Sequence, residues 1–529
     1  MPLILPRRAA AFALALATGL GALPAAHAGP ADTARTAAWF DAHRQRPTLL
    51  RQFLQRMPKG ADLHSHLSGA VYAETYLAWA VEDDLCVHTD SLSFSRSCTV
   101  GDDRQLPARQ LLDNKHLPSY QALVDKMSMR HLARSGRPGH DQFFDAFAAF
   151  PPVAHSPARQ AAMVAELADR AGRQATLHLE LMITFQGGAV RDLGAALPWA
   201  DETDFGRRLA WLKNPAARPN GAGGDGKSLS AMVEAGRADV EALEAALRQQ
   251  LGCGSAEPHP GCAVSVGWMQ QTTRTAAPEA VFAQLAYAFM LADADSRVVG
   301  LNLVAPEDHP GALRDYGLQR RMIGWLGRQY PKVKIALHAG ELALGLVPPQ
   351  HLRSHIREAV AVAGAHRIGH AVDLFHEDDA AGTLALMKAR GVAAEICLTS
   401  NDGILGIQGA EHPLPDYLAA GVPVVLASDD EGISRIDLSH EYLRAATTYG
   451  LRYRQLKQLS RNSLEHSFLP GDSLWADAAA ARPVAACRRD PPGRATPSAA
   501  CRSHLDGSAR AARQWALEAA FDAFERSVR

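Results

Sequence analysis

Short apolar runs alternate with longer amphipathic ones over most of the chain after residue 56. The short runs fall at residues 60–67, 175–183, 262–269, 297–304, 332–340, 366–373, 392–399 and 423–430. Each is of strand length, and most are separated by stretches with helical periodicity, such as 279–293, 313–330 and 349–363. Eight strands alternating with helices predict an α/β chain folded as a (β/α)8 TIM barrel. The spacing predicts a helix over 31–56, stopped by Met57-Pro58-Lys59-Gly60. A long helical insertion follows strand 1, over residues 68–173, with helical stretches at 117–132 and 141–150. Within it Phe143, Phe144, Phe147 and Phe150 keep helical spacing. That pattern predicts packing inside the insertion, with the lining of a pocket mouth as the alternative. Residues 214–227, rich in Gly, Pro and Asn, read as a mobile loop in a second insertion. A C-terminal helical extension closes with a helix over 508–528.

The N-terminus departs from this pattern. Arg7-Arg8, an apolar run from Ala9 to Leu23 and Ala26-His27-Ala28 read as a signal peptide over 1–28, which predicts an exported, periplasmic or secreted protein. Its removal takes away two arginines and no acid, moving the formal charge from −1 to −3. Residues 29–529 then form one expected domain, with its core at about 57–471 and the extension at 472–529. The charge is near balance and no run of Lys or Arg forms a stripe, so neither nucleic acid nor stable membrane contact is expected. Of seven cysteines, Cys86 and Cys98, Cys253 and Cys262, and Cys487 and Cys501 bracket short loops, as expected of disulfides in an exported chain. Cys397 is left over in an apolar run, as a buried thiol.

A barrel concentrates its chemistry at the carboxyl ends of its strands. Strand 1 carries His64 and His66, which alternation puts on one side. Strand 5 ends His338-Ala339-Gly340-Glu341, strand 6 carries Arg367-Ile368-Gly369-His370, and strand 8 ends Ser428-Asp429-Asp430. Each alone has a structural explanation: a turn, a helix cap, a ring bonded to a carbonyl. Together, on one rim, they read as a site. His64, His66, His338 and Asp429 suit one Zn²⁺ with an open position for water. Glu341 and His370 remain as acid–base groups and Asp430 as an orienter. This is equipment for metal-assisted hydrolysis.

Met57-Pro58-Lys59 with Asp62-Leu63-His64-Ser65-His66-Leu67-Ser68-Gly69 resembles the opening motif of the adenosine deaminases. So, in order, do His338-Ala339-Gly340-Glu341, Arg367-Ile368-Gly369-His370, Glu395-Ile396-Cys397-Leu398-Thr399-Ser400-Asn401 and Ser428-Asp429-Asp430. The insertion, cysteine pairs and leader resemble the exported, growth-factor-related branch. The resemblance implies zinc on His64, His66, His338 and Asp429, with Glu341 protonating N1 of a purine. His370 would orient the attacking water and help take its proton, and Asp430 would hold that water and the N7 side. Adenosine, and 2′-deoxyadenosine with it, would become inosine with release of ammonia. The partner is a small-molecule purine nucleoside, met by a monomer or homodimer.

The departures bear on recognition. Ser68 stands where the family commonly has a ribose-contacting Asp. Ala305 stands where a Gly amide meets the purine N3, and Glu431 follows the Asp pair in place of Pro. Both Ser68 and Ala305 are therefore candidate substrate contacts, and adenine or an N6-modified purine is the alternative substrate. An exported purine-binding or signalling protein without turnover is the reading from another class. A two-metal hydrolase bridged by a carboxylated lysine is disfavoured, because no Lys lies near the end of strand 4.

Overall fold

The computed structural model describes residues 29–154, 156–200, 204–217 and 228–529. Eight parallel strands run in chain order around the sheet: β1 (Gly60–His66), β2 (Thr176–Ile183), β3 (Ser265–Thr273), β4 (Val298–Val304), β5 (Lys334–Ala339), β6 (Arg367–His370), β7 (Ala393–Ile396) and β8 (Val424–Leu426). Helices on the outside and side chains on the inside bury both faces, which is why the strands read as apolar runs rather than as alternations. β1 returns to the end of β8 through a parallel bridge between Ser65 and Asp429. The His66 amide donates to the Asp429 carbonyl at 3.0 Å, and the Asp429 amide to the His64 carbonyl at 2.9 Å.

Several boundaries differ from the predicted ones for local reasons. The N-terminal helix is two, Pro30–His43 and Pro47–Arg56, because Pro47 has no N–H to continue the first. β3 starts later than predicted and runs on to Thr273, since Pro260-Gly261 draws Cys262 into a short 3₁₀ turn. The insertion after β1 is not wholly helical. It contains a three-stranded antiparallel sheet, Cys86–His88, Ser93–Ser95 and Gln105–Pro107, tied by the Cys86–Cys98 disulfide. Strands of three residues are too short to show a period. Of the predicted mobile loop, Pro215–Ala217 forms a 3₁₀ turn and residues 218–227 lie outside the described residues, as does the expected signal peptide.

All three predicted disulfides are formed, and Cys397 is free and buried. No described helix is long and apolar enough to cross a membrane. The C-terminal extension has a small core of its own, in which Leu474, Trp475 and Trp515 pack around the buried Cys487 and Cys501. Its closing helix, Ala509–Ser527, lies against the helix Tyr453–Glu465, where Arg461 meets Glu518 and Lys457 meets Glu525, each at 2.7 Å. Cross-linking a loop of this length removes chain entropy from the unfolded state. Replacing Cys487 and Cys501 together by alanine is expected to destabilise the protein by about 3 kcal/mol, read as a lower urea midpoint under oxidising conditions.

Candidate active site

Barrel closure brings the ends of β1, β5, β6 and β8 to one point. His64 and His66 come from β1, His338 from β5, His370 from the end of β6, and Asp429 and Asp430 follow β8. All are buried except His66, which is partly open. The His66 and His338 Nε2 atoms are 3.2 Å apart. Asp429 Oδ1 lies 3.3 Å from His64 Nε2 and 3.4 Å from His66 Nε2. Close approach of the backbone makes this possible. A Cβ on Gly369 would sit 2.5 Å from His64 Cε1, and one on Gly69 would overlap the Asp430 carboxylate.

The outer nitrogen of each ring sets its tautomer. His64 Nδ1 donates to Glu395 Oε2 at 2.7 Å, and His66 Nδ1 donates to Gln271 Oε1 at 2.8 Å. His338 Nδ1 donates at 2.8 Å to Asn302 Oδ1, which also accepts from the His338 amide and is therefore an oxygen. Each neutral ring thus turns an Nε2 lone pair to the centre, the arrangement that oriented metal ligands require. His64 Nε2 is buried without a hydrogen-bond partner, and the Asp429 carboxylate is held in place by the Ser400 hydroxyl at 2.7 Å. Three imidazoles and one carboxylate converging in this way fit a divalent metal.

His64, His338, His370 and Asp429 also offer ligand atoms within 4.8 Å of one another. The His370 ring has the opposite environment, however, with its Nδ1 facing Asn401 Nδ2 at 3.0 Å. The ring with a lone pair turned inward beside those of His64 and His338 is that of His66.

Burial dominates the electrostatics. It pushes the Glu341 carboxyl well above the usual range, and the neighbouring charges of Asp429 and Glu307 add to the effect. Asp430 rises for the same reasons, burial first and then Asp429. Burial opposes a second proton on His64, yet the adjoining Asp429 and Glu395 carboxylates raise its pKa to about 10, and a metal on Nε2 would take that proton's place. His338 is driven well below the usual histidine range by burial and the adjoining rings.

Glu341 is also fixed through its backbone. The two oxygens of Glu307 accept the Gly340 amide at 3.2 Å and the Glu341 amide at 3.0 Å, while His355 Nδ1 bonds Glu307 at 2.6 Å.

A cavity of about 350 Å³ opens over the centre, floored by His66, His338, Glu341, His370, Asp429 and Asp430. Ser68 and Ala305 line it, and Ala305 holds a φ of +81° that glycine would adopt more readily. Both readings of the aromatic cluster are realised. Phe143, Phe144 and Phe147 form one wall of the cavity, whereas Phe150 stacks on Tyr76 in the insertion's core. The partners Gln271, Asn302 and Glu307 were not singled out by sequence reasoning as site residues, and Glu395 and Asn401 entered it only as parts of a motif. A polar residue inside an otherwise apolar strand, as at Gln271 and Asn302, was the available signal.

An eight-stranded parallel barrel with this donor set at its carboxyl rim has the residues that metal-assisted hydrolysis requires. The adenosine deaminase family model matches residues 240–476 of this chain. The chain is 35% identical over 141 residues to an adenosine deaminase of Enterococcus faecalis, covering 26% of this chain and 38% of that one. It is 34% identical over 179 residues to the enzyme of Escherichia coli, covering 33% and 48%. The chain thus spans about half or less of the curated relatives it matches. Arabidopsis ADAL complexed with IMP shares the fold, with a TM-score of 0.50 at 19% identity over 79% of this chain and 94% of that one.

If Glu395 fixes the His64 ring, Glu395→Gln should weaken metal binding by about 10- to 100-fold. Competition with a chromogenic chelator measures it, and an unchanged affinity would remove Glu395 from the support of the site.

Proposed function

We propose that the chain is a zinc-dependent hydrolase that deaminates adenosine and 2′-deoxyadenosine to inosine products with release of ammonia. One observation carries the proposal. A buried, proton-retaining Glu341 shares a cavity with His66, His338 and Asp429, and His64 Nε2 lies 3.3 Å from Asp429 Oδ1 behind them. Three nitrogens and one carboxylate suit zinc, held by His64, His66, His338 and Asp429. When bound, zinc lowers the pKa of a water towards about 7.

A purine carbon bearing an amine resists attack until a neighbouring ring nitrogen is protonated. Glu341, kept neutral by its dry surroundings, gives its proton to that nitrogen. Water oxygen adds to the amine-bearing carbon, protons from water restore Glu341 and complete ammonia, and the carbonyl product remains. His370 and Asp430 line the same cavity and would orient the attacking water. The phenylalanine wall offers apolar faces to the flat ring.

Among the described residues, no Lys or Arg lines the cavity. That favours an uncharged nucleoside over a nucleotide, because a buried phosphate without a cation is costly. Ser68 and the strained Ala305 support a second reading with the same chemistry, in which a free base such as adenine, or an N6-modified purine, is the substrate. We further read residues 29–529 as one exported catalytic unit of the growth-factor-related branch. It would act as monomer or homodimer on a small molecule, without nucleic-acid or stable membrane partners.

Ammonia release from adenosine, deoxyadenosine, adenine, AMP and N6-methyladenine, with and without a chelator, tests both readings. The expected result is chelator-sensitive turnover of the nucleosides and none of AMP. Binding without turnover, insensitive to chelator, would favour the signalling alternative. Glu341→Gln should retain zinc and lose most of kcat; an active variant would exclude Glu341 as the acid.

A further inference from the structure

The ring of His370 is held by a chain of hydrogen bonds that determines what it can do. The Leu414 amide, which can only donate, bonds His412 Nδ1 at 3.1 Å. A neutral His412 therefore carries its proton on Nε2, which lies 3.0 Å from Asn401 Oδ1. With that oxygen accepting, the amide nitrogen of Asn401 faces His370 Nδ1 at 3.0 Å, and an amide nitrogen can only donate. His370 Nδ1 is the acceptor, so the ring's own proton sits on Nε2. All three side chains are buried, at 0–1% exposure, so water does not scramble the chain. His370 Nε2 has no hydrogen-bond partner, lies 3.6 Å from Glu341 Oε1, and opens on the cavity.

We infer that His370 acts as a fixed N–H donor to the attacking water, and that His412, through Asn401, is the positioning residue that keeps it so. The inference rests on the proposed hydrolytic reading of the cavity. It assigns His370 a role opposite to that of His64, His66 and His338, whose Nδ1 atoms donate outward and whose Nε2 lone pairs point inward. It also separates the two roles that the family resemblance joins. A ring already protonated on Nε2, with Nδ1 covered by a donor, can orient a water but has no free nitrogen to take its proton. Proton acceptance then falls to the carboxylates of the cavity.

The test is ¹⁵N NMR of the zinc-loaded protein labelled at histidine, with His370 assigned by its absence from His370→Gln. The expected wild-type spectrum has His370 protonated at Nε2 and a hydrogen-bonded, unprotonated Nδ1. His412→Phe removes the donor to Asn401 and should shift His370 towards the other tautomer, lowering kcat by about tenfold or more with KM little changed. His412→Gln, whose amide can still donate to Asn401, should restore much of both. A wild-type His370 protonated at Nδ1 overturns the inference without recourse to any variant. So does a folded, zinc-loaded His412→Phe with wild-type kcat. If the wild type deaminates none of the purines yet shows the expected tautomer, the hydrolytic reading fails and the hydrogen-bond chain stands.

Discussion

The pairing of β1 with the end of β8 is the constraint on which the rest depends. It closes the barrel through backbone bonds between His64, His66 and Asp429. The same bonds bring two imidazoles within 3.4 Å of one carboxylate. Closure of the sheet and assembly of the donor set are one event. Asp429 reaches this position with a φ of +61°, and His370 leaves β6 at +67°. Non-glycine residues rarely hold such angles, and they persist where the surrounding structure enforces them.

Beneath the donors lies a buried column of charge. Arg367 bonds both Glu180 and Glu395 inside the barrel and stacks over the Phe468 ring, and Glu395 in turn orients His64. Burying these groups is expensive, and burial of an ion pair seldom stabilises a fold by itself. The pairs hold Glu180 and Glu395 below their usual pKa against the burial that would raise them. Glu395 stays ionised and can keep accepting the His64 proton. The column makes sense as a device for holding one tautomer.

Much of the architecture was legible in the sequence because strands buried on both faces read as unbroken apolar runs. The ends were less legible. Residues 366–373 read as one strand, but β6 stops at His370, where the chain turns into the left-handed region over two residues. The donor types were legible as well, since chemistry concentrates at strand ends. What sequence could not supply was the second partner of each donor. Gln271 lies 205 residues from His66 and Glu395 331 from His64. His412 stands outside every motif, and its effect on His370 runs through a third side chain. A tautomer is a property of a neighbourhood, and no spacing rule encodes it.

The donor set and the cavity walls come from different parts of this chain. The donors and acid sit on or directly after barrel strands, where packing leaves little freedom. The walls of the cavity come from the insertion after β1, with Phe143, Phe144 and Phe147, and from the turn after β4, with Ala305 and Pro306. His140 on the insertion meets Asp308 beyond that turn at 3.1 Å, so the two walls are joined across the cavity. Substitutions in these walls can change what fits without moving a donor atom. Ser68 lies at the boundary: its carbonyl accepts from Tyr76, which packs on Phe150 of the insertion, and it follows His66 by two residues. The insertion's packing is thus connected through Tyr76 to Ser68, a cavity-lining residue next to the donors.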